Sequence, residues 1–121
     1  MKKILSMGIL LMSLPSLGED LNGKDIYTKP SLIPSSCSKP SYPAESLLAR
    51  EEGITQLQLN ISQYGKSIDS KVEISSGFSG LDSAAIVFFE GCKYNPAKKN
   101  GKPVAGIFQI RYRWKIEETP K

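Results

Sequence analysis

From Phe108 to Ile116 the sequence alternates at every position. Phe108, Ile110, Tyr112, Trp114 and Ile116 share one face, and Gln109, Arg111, Arg113 and Lys115 share the other. A period of two over this length specifies a β-strand with one buried and one wet face. The bulky apolar face has to be covered by another layer. The cationic outer face suits an exposed sheet edge, where charge discourages pairing with the wrong chain. Upstream, Leu57, Leu59 and Ile61 alternate with Gln56, Gln58 and Asn60. After a turn at Gln63-Tyr64-Gly65-Lys66, Ile68, Val72 and Ile74 alternate with Asp69, Lys71 and Glu73. These two stretches are expected to form an antiparallel hairpin, with Ile68, Val72 and Ile74 all inward.

Two helical patterns flank the hairpin. Tyr42-Pro43 opens the first, since proline is tolerated in an initial helical turn. Leu47 and Leu48 supply its apolar stripe, and Gly53 stands where a left-handed residue would end it. In the second, Ser79 and Asp82 have capping-box spacing. Leu81, Ala84, Ala85, Phe88 and Phe89 recur at helical intervals, with Cys92 on the same side. Residues 95–102 read as a basic loop marked by glycine and proline. The order helix, strand, strand, helix, strand buries every apolar face only as a two-layer α+β sandwich.

The 121 residues hold one domain. Residues 1–18 read as a signal peptide: Lys2 and Lys3 give a positive start, an apolar core runs to Leu14, and Pro15 breaks it. Ser16-Leu17-Gly18 then places small residues where a signal peptidase cuts. The apolar core falls short of the roughly 18–20 residues that span a bilayer, so the membrane is a partner only if the leader is retained. Residues 19–36 are polar and punctuated by Gly23, Pro30 and Pro34, reading as a linker or surface arm. The folded domain is placed at 37–121. Removing Lys2 and Lys3 from the 16 basic residues leaves 14 against 12 acidic ones, too even a balance to point to nucleic acid.

Behind an export signal, Cys37 and Cys92 are expected to pair as a structural disulfide; two buried free thiols are the alternative. The bond would pin the entry of the first helix to the exit of the second. Its reduction is expected to cost stability without touching the last strand. The absence of histidine removes the usual zinc site and the ordinary Ser-His or Cys-His nucleophile pair. No carboxylates pair convincingly for acid–base work, and no phosphate-binding loop is present. The chain therefore reads as a non-enzyme without metal or cofactor. Lys98, Lys99, Lys102, Arg111, Arg113 and Lys115 could form a basic patch for acidic lipid, peptidoglycan or a partner carboxylate; a solvated loop and a protected strand edge are the plainer reading.

Several motifs in order resemble the TonB C-terminal domain family. Tyr42-Pro43 followed by a helix and Gly53 is similar to that family's opening. Tyr64-Gly65-Lys66, Ser75-Ser76-Gly77 and Leu81-Asp82-Ser83-Ala84-Ala85 follow, then Tyr94-Asn95-Pro96-Ala97 and Gly101-Lys102-Pro103-Val104. The likeness covers about 37–116, and the paired cysteines occur in a disulfide-bearing branch. Lys39 stands where well-studied transducers have glutamine, and Cys92 where a tryptophan is frequent. The resemblance implies a three-stranded antiparallel sheet with two helices on one face. It implies structural roles for Tyr42, Pro43, Gly53, Gly65, Leu81, Asp82, Tyr94 and Pro96.

The resemblance further implies a periplasmic domain of a Gram-negative bacterium. Its last strand, through Ile107, Gln109, Arg111 and Arg113, would recruit an extended segment of an outer-membrane or other envelope protein. That role belongs to energy transduction and TonB-dependent transport. The same edge could pair with a second copy of the chain. A secreted structural or inhibitory protein-binding module on the same fold is the alternative.

Overall fold

The computed structural model describes residues 25–118, so the expected leader lies outside the described residues. Two short strands, β1 (Tyr27–Thr28) and β2 (Ser31–Leu32), and a 3-10 turn at Pro34–Ser36 precede helix α1 (Ala44–Leu48). The hairpin strands β3 (Gly53–Ile61) and β4 (Ser67–Ile74) come next, then helix α2 (Ser79–Gly91). Strands β5 (Tyr94–Asn95), β6 (Ala97–Lys99), β7 (Lys102–Val104) and β8 (Gly106–Trp114) complete the chain. The main sheet has the order β4-β3-β8, antiparallel throughout.

Strand β3 is the centre. Thr55, Leu57, Leu59 and Ile61 point to one face and are at most 1% exposed. On that face α2 contributes Leu81, Ala85 and Phe89, and β8 contributes Trp114. Fully burying each of the leucines and the isoleucine is worth roughly 1.5–3 kcal/mol, so β3 anchors the domain. Aromatic pairs extend this core. Tyr112 meets both Phe89 and Trp114 edge to face, with ring centroids 6.2 and 4.9 Å apart. Phe108 lies 5.1 Å from Tyr94. These facts make the fold the expected two-layer α+β sandwich.

Five local expectations are corrected. In β4 the register to β3 slips twice, between Gln56 and Leu57 and between Asn60 and Ile61. Each extra residue turns the strand over. Val72, Ser70 and Ser67 therefore oppose Leu57, Leu59 and Ile61, while Ile68 and Ile74 are 64% and 54% exposed. In α1 the buried residue is Ser46, and Leu48 is 85% exposed. The helix is too short for a stripe; Ser46 sits against Gly80, whose substitution by a Cβ would bring it to 3.4 Å from the Ser46 hydroxyl.

The left-handed residue after α1 is Arg50 (φ 56°), not Gly53. Gly53 instead begins β3 where a Cβ would lie 2.6 Å from the Ser76 carbonyl oxygen, so glycine is needed for close approach. Helix α2 has Phe78 rather than Ser79 at its N-cap, and phenylalanine offers no side-chain acceptor for a cap; Asp82 accepts from Thr55, Ser75 and Ser76 instead. The basic segment 95–102 is not a loop: Asn95 ends β5, and from Ala97 the chain enters the β6–β7 hairpin, closed by Asn100 (φ 52°) and Gly101 (φ 83°), the two positive angles of a tight hairpin turn.

The segment expected as a linker or arm lies against the domain in its described part. β1 pairs with β6 and β2 with β5. Cys37 and Cys92 form a disulfide with Cα atoms 5.4 Å apart, joining the segment ahead of α1 to the C-terminal end of α2. Next to it, the Ser36 hydroxyl accepts from the Lys93 amide at 2.9 Å. Among the described residues no helix is long and apolar enough to cross a membrane.

Candidate peptide-binding edge

Strand β8 pairs with β3 along its whole length, from Gly106↔Ile61 to Trp114↔Gly53, without a register slip. Its other side pairs with no strand among the described residues. The main sheet thus has two edges of different quality. The β4 edge is bulged twice and its pairing with β3 stops at Gln56. The β8 edge is straight and nine residues long. A regular edge offers a row of backbone donors and acceptors that a further strand can meet, whereas bulges obstruct it.

The four residues expected on this edge share the open face of the sheet. Ile107 is 49% exposed, and Gln109, Arg111 and Arg113 are exposed. Across β3 they oppose Asn60, Gln58, Gln56 and Ile54. Gln109 is held by Glu73: its side-chain amide donates to both carboxylate oxygens, at 3.0 and 3.2 Å. The other face presents Phe108, Ile110 and Tyr112 half-buried at the rim of the core. A groove of about 490 Å³ continues past the end of β8, between Tyr112, Arg113 and Lys115 on one side and Lys39, Pro40, Ser41 and Tyr42 on the other.

A buried polar network fixes the end of this edge. The Trp114 indole N–H donates to the Thr55 hydroxyl at 3.1 Å, and that hydroxyl donates to Asp82 Oδ1 at 2.9 Å. The same oxygen accepts from the Ser76 amide at 2.9 Å and the Ser76 hydroxyl at 2.8 Å, while Oδ2 accepts from the Ser75 hydroxyl. Burial alone pushes the Asp82 carboxyl up, but the hydrogen bonds from Ser75, Ser76 and Thr55 prevail and hold it below the ordinary carboxylate value. Asp82 therefore stitches α2, the end of β4 and the β3–β8 pair together.

The remaining residues singled out from the sequence form two supports, one at the Trp114 end of β8 and one beneath the β3–β4 turn. Tyr42 packs edge to face on Trp114 at 5.1 Å, and its hydroxyl donates to the Glu51 carbonyl. Pro43 is the N-cap of α1. Gly65 (φ 84°) turns the β3–β4 hairpin directly against the Tyr94 backbone, and the Tyr94 amide donates to the Gly65 carbonyl at 3.0 Å. Tyr94 is 3% exposed; burial pushes its phenol up to about 12, and its hydroxyl donates to the Phe89 carbonyl at 2.6 Å. Pro96 follows, its Cδ 3.9 Å from where a Cβ on Gly65 would stand. Leu81 is fully buried.

Sequence reasoning missed Thr55, Ser75 and Ser76 as a network. The signal was available: Thr55 has the inward parity of Leu57 and Leu59, and a hydroxyl at such a position needs a buried partner. Among the described residues no cluster of three His, Cys, Asp or Glu side chains could hold a metal ion.

Taken together, the layers define a small α+β domain whose main sheet has one regular edge, the outer side of β8, that pairs with no described strand. The family model described as Gram-negative bacterial TonB protein C-terminal matches residues 38–116, and the chain belongs to that family. The TonB protein of Vibrio cholerae serotype O1 is 30% identical over 92 residues, 76% of this chain and 37% of that protein. The TonB protein of Haemophilus ducreyi is 41% identical over 56 residues, 46% of this chain and 20% of that protein. The chain thus matches well under half the length of these curated relatives. The solution structure of the Pseudomonas aeruginosa TonB C-terminal domain shares the fold, with a TM-score of 0.59 at 22% identity, over 76% of this chain and 91% of that one.

Proposed function

We propose that this domain works in the periplasm of a Gram-negative bacterium. It receives an extended segment of an outer-membrane receptor, or of another envelope protein, as a fourth strand along β8 and so supports TonB-dependent transport. The observation that carries this reading is the contrast between the two sheet edges: β8 runs nine residues without a register slip and its outer side pairs with no strand among the described residues, while β4 is bulged. Backbone hydrogen bonds along β8 provide most of the affinity, and Ile107, Gln109, Arg111 and Arg113 shape side-chain preference. The Cys37–Cys92 bond supports an oxidising compartment. The domain acts as a binding module, without catalysis.

The test modifies the ligand rather than the domain. Receptor-derived peptides recovered by pull-down from envelope extracts are N-methylated one amide at a time. An added strand directs only alternate amides toward β8, so methylation should abolish binding at every second position and spare the positions between. Uniform tolerance would sink strand addition. Recovery of soluble proteins with no receptor would favour a protein-binding module outside transport.

A further inference from the structure

The two halves of the β8 edge differ in charge. The first half presents Ile107 and Gln109, the second Arg111 and Arg113, and Lys115 continues the same parity just beyond. Arg111 and Arg113 stand opposite Gln56 and Ile54, so neither meets a carboxylate across β3. Among the described residues the ion pairs are Arg50–Glu118 and Lys99–Asp25, and neither involves this row.

The nearby carboxylates have other work. Glu73 accepts from Gln56 and Gln109, each at 3.0 Å. Glu52 lines a hollow with Arg113 but accepts from the Ile116 amide at 2.8 Å. Asp69 accepts from the Ser70 amide at 3.0 Å. In the groove beyond the strand, Lys39, Arg113 and Lys115 face a lining with one carboxylate, Glu117.

Resting on the strand-addition reading, we propose that β8 selects an extended acidic peptide whose carboxylates recur at every second residue. They lie across from Arg111 and Arg113 and run on toward Lys115, with apolar residues between them beside Ile110 and Tyr112. The pleat dictates the spacing, because a strand added to β8 puts the Cβ atoms of its directly opposite residues about 4.5–5.5 Å from those of Arg111 and Arg113. The neutral first half gives the edge a direction: the acidic end of the peptide goes to the Arg113 end, which fixes register. Exposed pairs are individually weak, so two or three of them together should give roughly a tenfold preference that salt removes.

The experiment measures binding of three synthetic nine-residue peptides to the full chain by fluorescence anisotropy. One alternates valine with glutamate, the second replaces each glutamate with glutamine, and the third has the first one's composition with its glutamates clustered. At low salt the alternating acidic peptide should bind about tenfold tighter than either control. That ratio should fall to near one in the Arg111→Gln, Arg113→Gln double variant, and in wild type at high salt. Equal binding of the acidic and amide peptides would overturn the charge rule and leave strand addition standing. So would equal binding of the clustered peptide, which would reveal only general charge attraction. Binding by none of the three would overturn strand addition and this proposal with it.

Discussion

Replacing Asp82 with asparagine should destabilise the domain by about 2 kcal/mol at neutral pH, and the deficit should shrink in acid. The carboxylate accepts four hydrogen bonds, from Thr55, Ser75, and the amide and hydroxyl of Ser76. A hydrogen bond to a charged group is worth roughly 1 kcal/mol more than a neutral one, so four lose about 4 kcal/mol together. Relief from burying a charge offsets part of this. Asp82→Ala should cost more, about 4 kcal/mol, because it leaves buried donors without an acceptor. These are large fractions of the 5–15 kcal/mol that usually holds a domain together.

The pH signature separates this account from a simple packing defect. The folded carboxyl titrates below its ordinary value of 3.8. Its contribution is thus fully present above that value and is lost as pH falls through the lower, folded one. The gap between wild type and Asp82→Asn should be widest at neutral pH and should close as pH falls below 3.8 through the lower, folded value. Urea melts read by Trp114, the only tryptophan in the sequence and 1% exposed, report this directly. A gap below about 0.5 kcal/mol at neutral pH, or one constant with pH, would refute the reasoning. Thr55→Val orphans the Trp114 indole N–H, so a double-mutant cycle with Asp82→Asn should show coupling of about 1 kcal/mol.

Other perturbations probe the supports. Gly65→Ala should cost about 2–4 kcal/mol by thermal melting, from the left-handed backbone and the Tyr94 backbone beside it. Burial pushes the Tyr94 phenol up to about 12, so stability should fall as pH rises from about 10 through that value; Tyr94→Phe should reduce that slope and leave the share of Tyr42 and Tyr112, which burial also shifts up. Replacing Cys37 and Cys92 by serine frees a separation of 55 residues and should cost about 4 kcal/mol in the chain-entropy model, seen in urea melts with and without reductant. The same replacement should spare binding along β8 itself, because β3 pairs with that strand from end to end; equal loss of binding by short and long peptides would contradict this.

What the sequence made legible depended on whether side-chain period or backbone path carried the information. In β3 and β8 the pleat is regular, so parity alone assigns Leu57, Leu59 and Ile61 to the core and Arg111 and Arg113 to the open face. In β4 parity places Ile68 and Ile74 inward, but two bulges reverse it, and nothing in the side chains announces an extra backbone residue. Asp82 three positions after Ser79 satisfies a capping-box pattern; the stronger claim comes from Thr55, distant in sequence and adjacent only once the sheet forms. Gly53 illustrates the same limit, since its need is the nearness of Ser76 rather than its own torsion. The Asn100-Gly101 turn was legible by type, though its basic flanks lack the apolar alternation that normally marks a hairpin.

The bulges that reverse parity in β4 also leave the sheet with one regular edge. A three-stranded sheet exposes two, and both invite unwanted pairing unless something blocks them. At β4 the block is in the backbone: the slips at Glu73 and Ile68 break the regular ladder, and two large apolar side chains are left in water as a consequence. At β8 the backbone is left regular and the protection is moved to the side chains, as cations at alternate positions. Charge of one sign repels a second copy of the same strand yet attracts a strand of the opposite sign. An edge guarded in this way, on the proposed reading, still admits a complementary partner, whereas bulges discourage any added strand. The Asp82 network supports the same division of labour, since it braces the Trp114 end of β8 from within and leaves its outer side untouched.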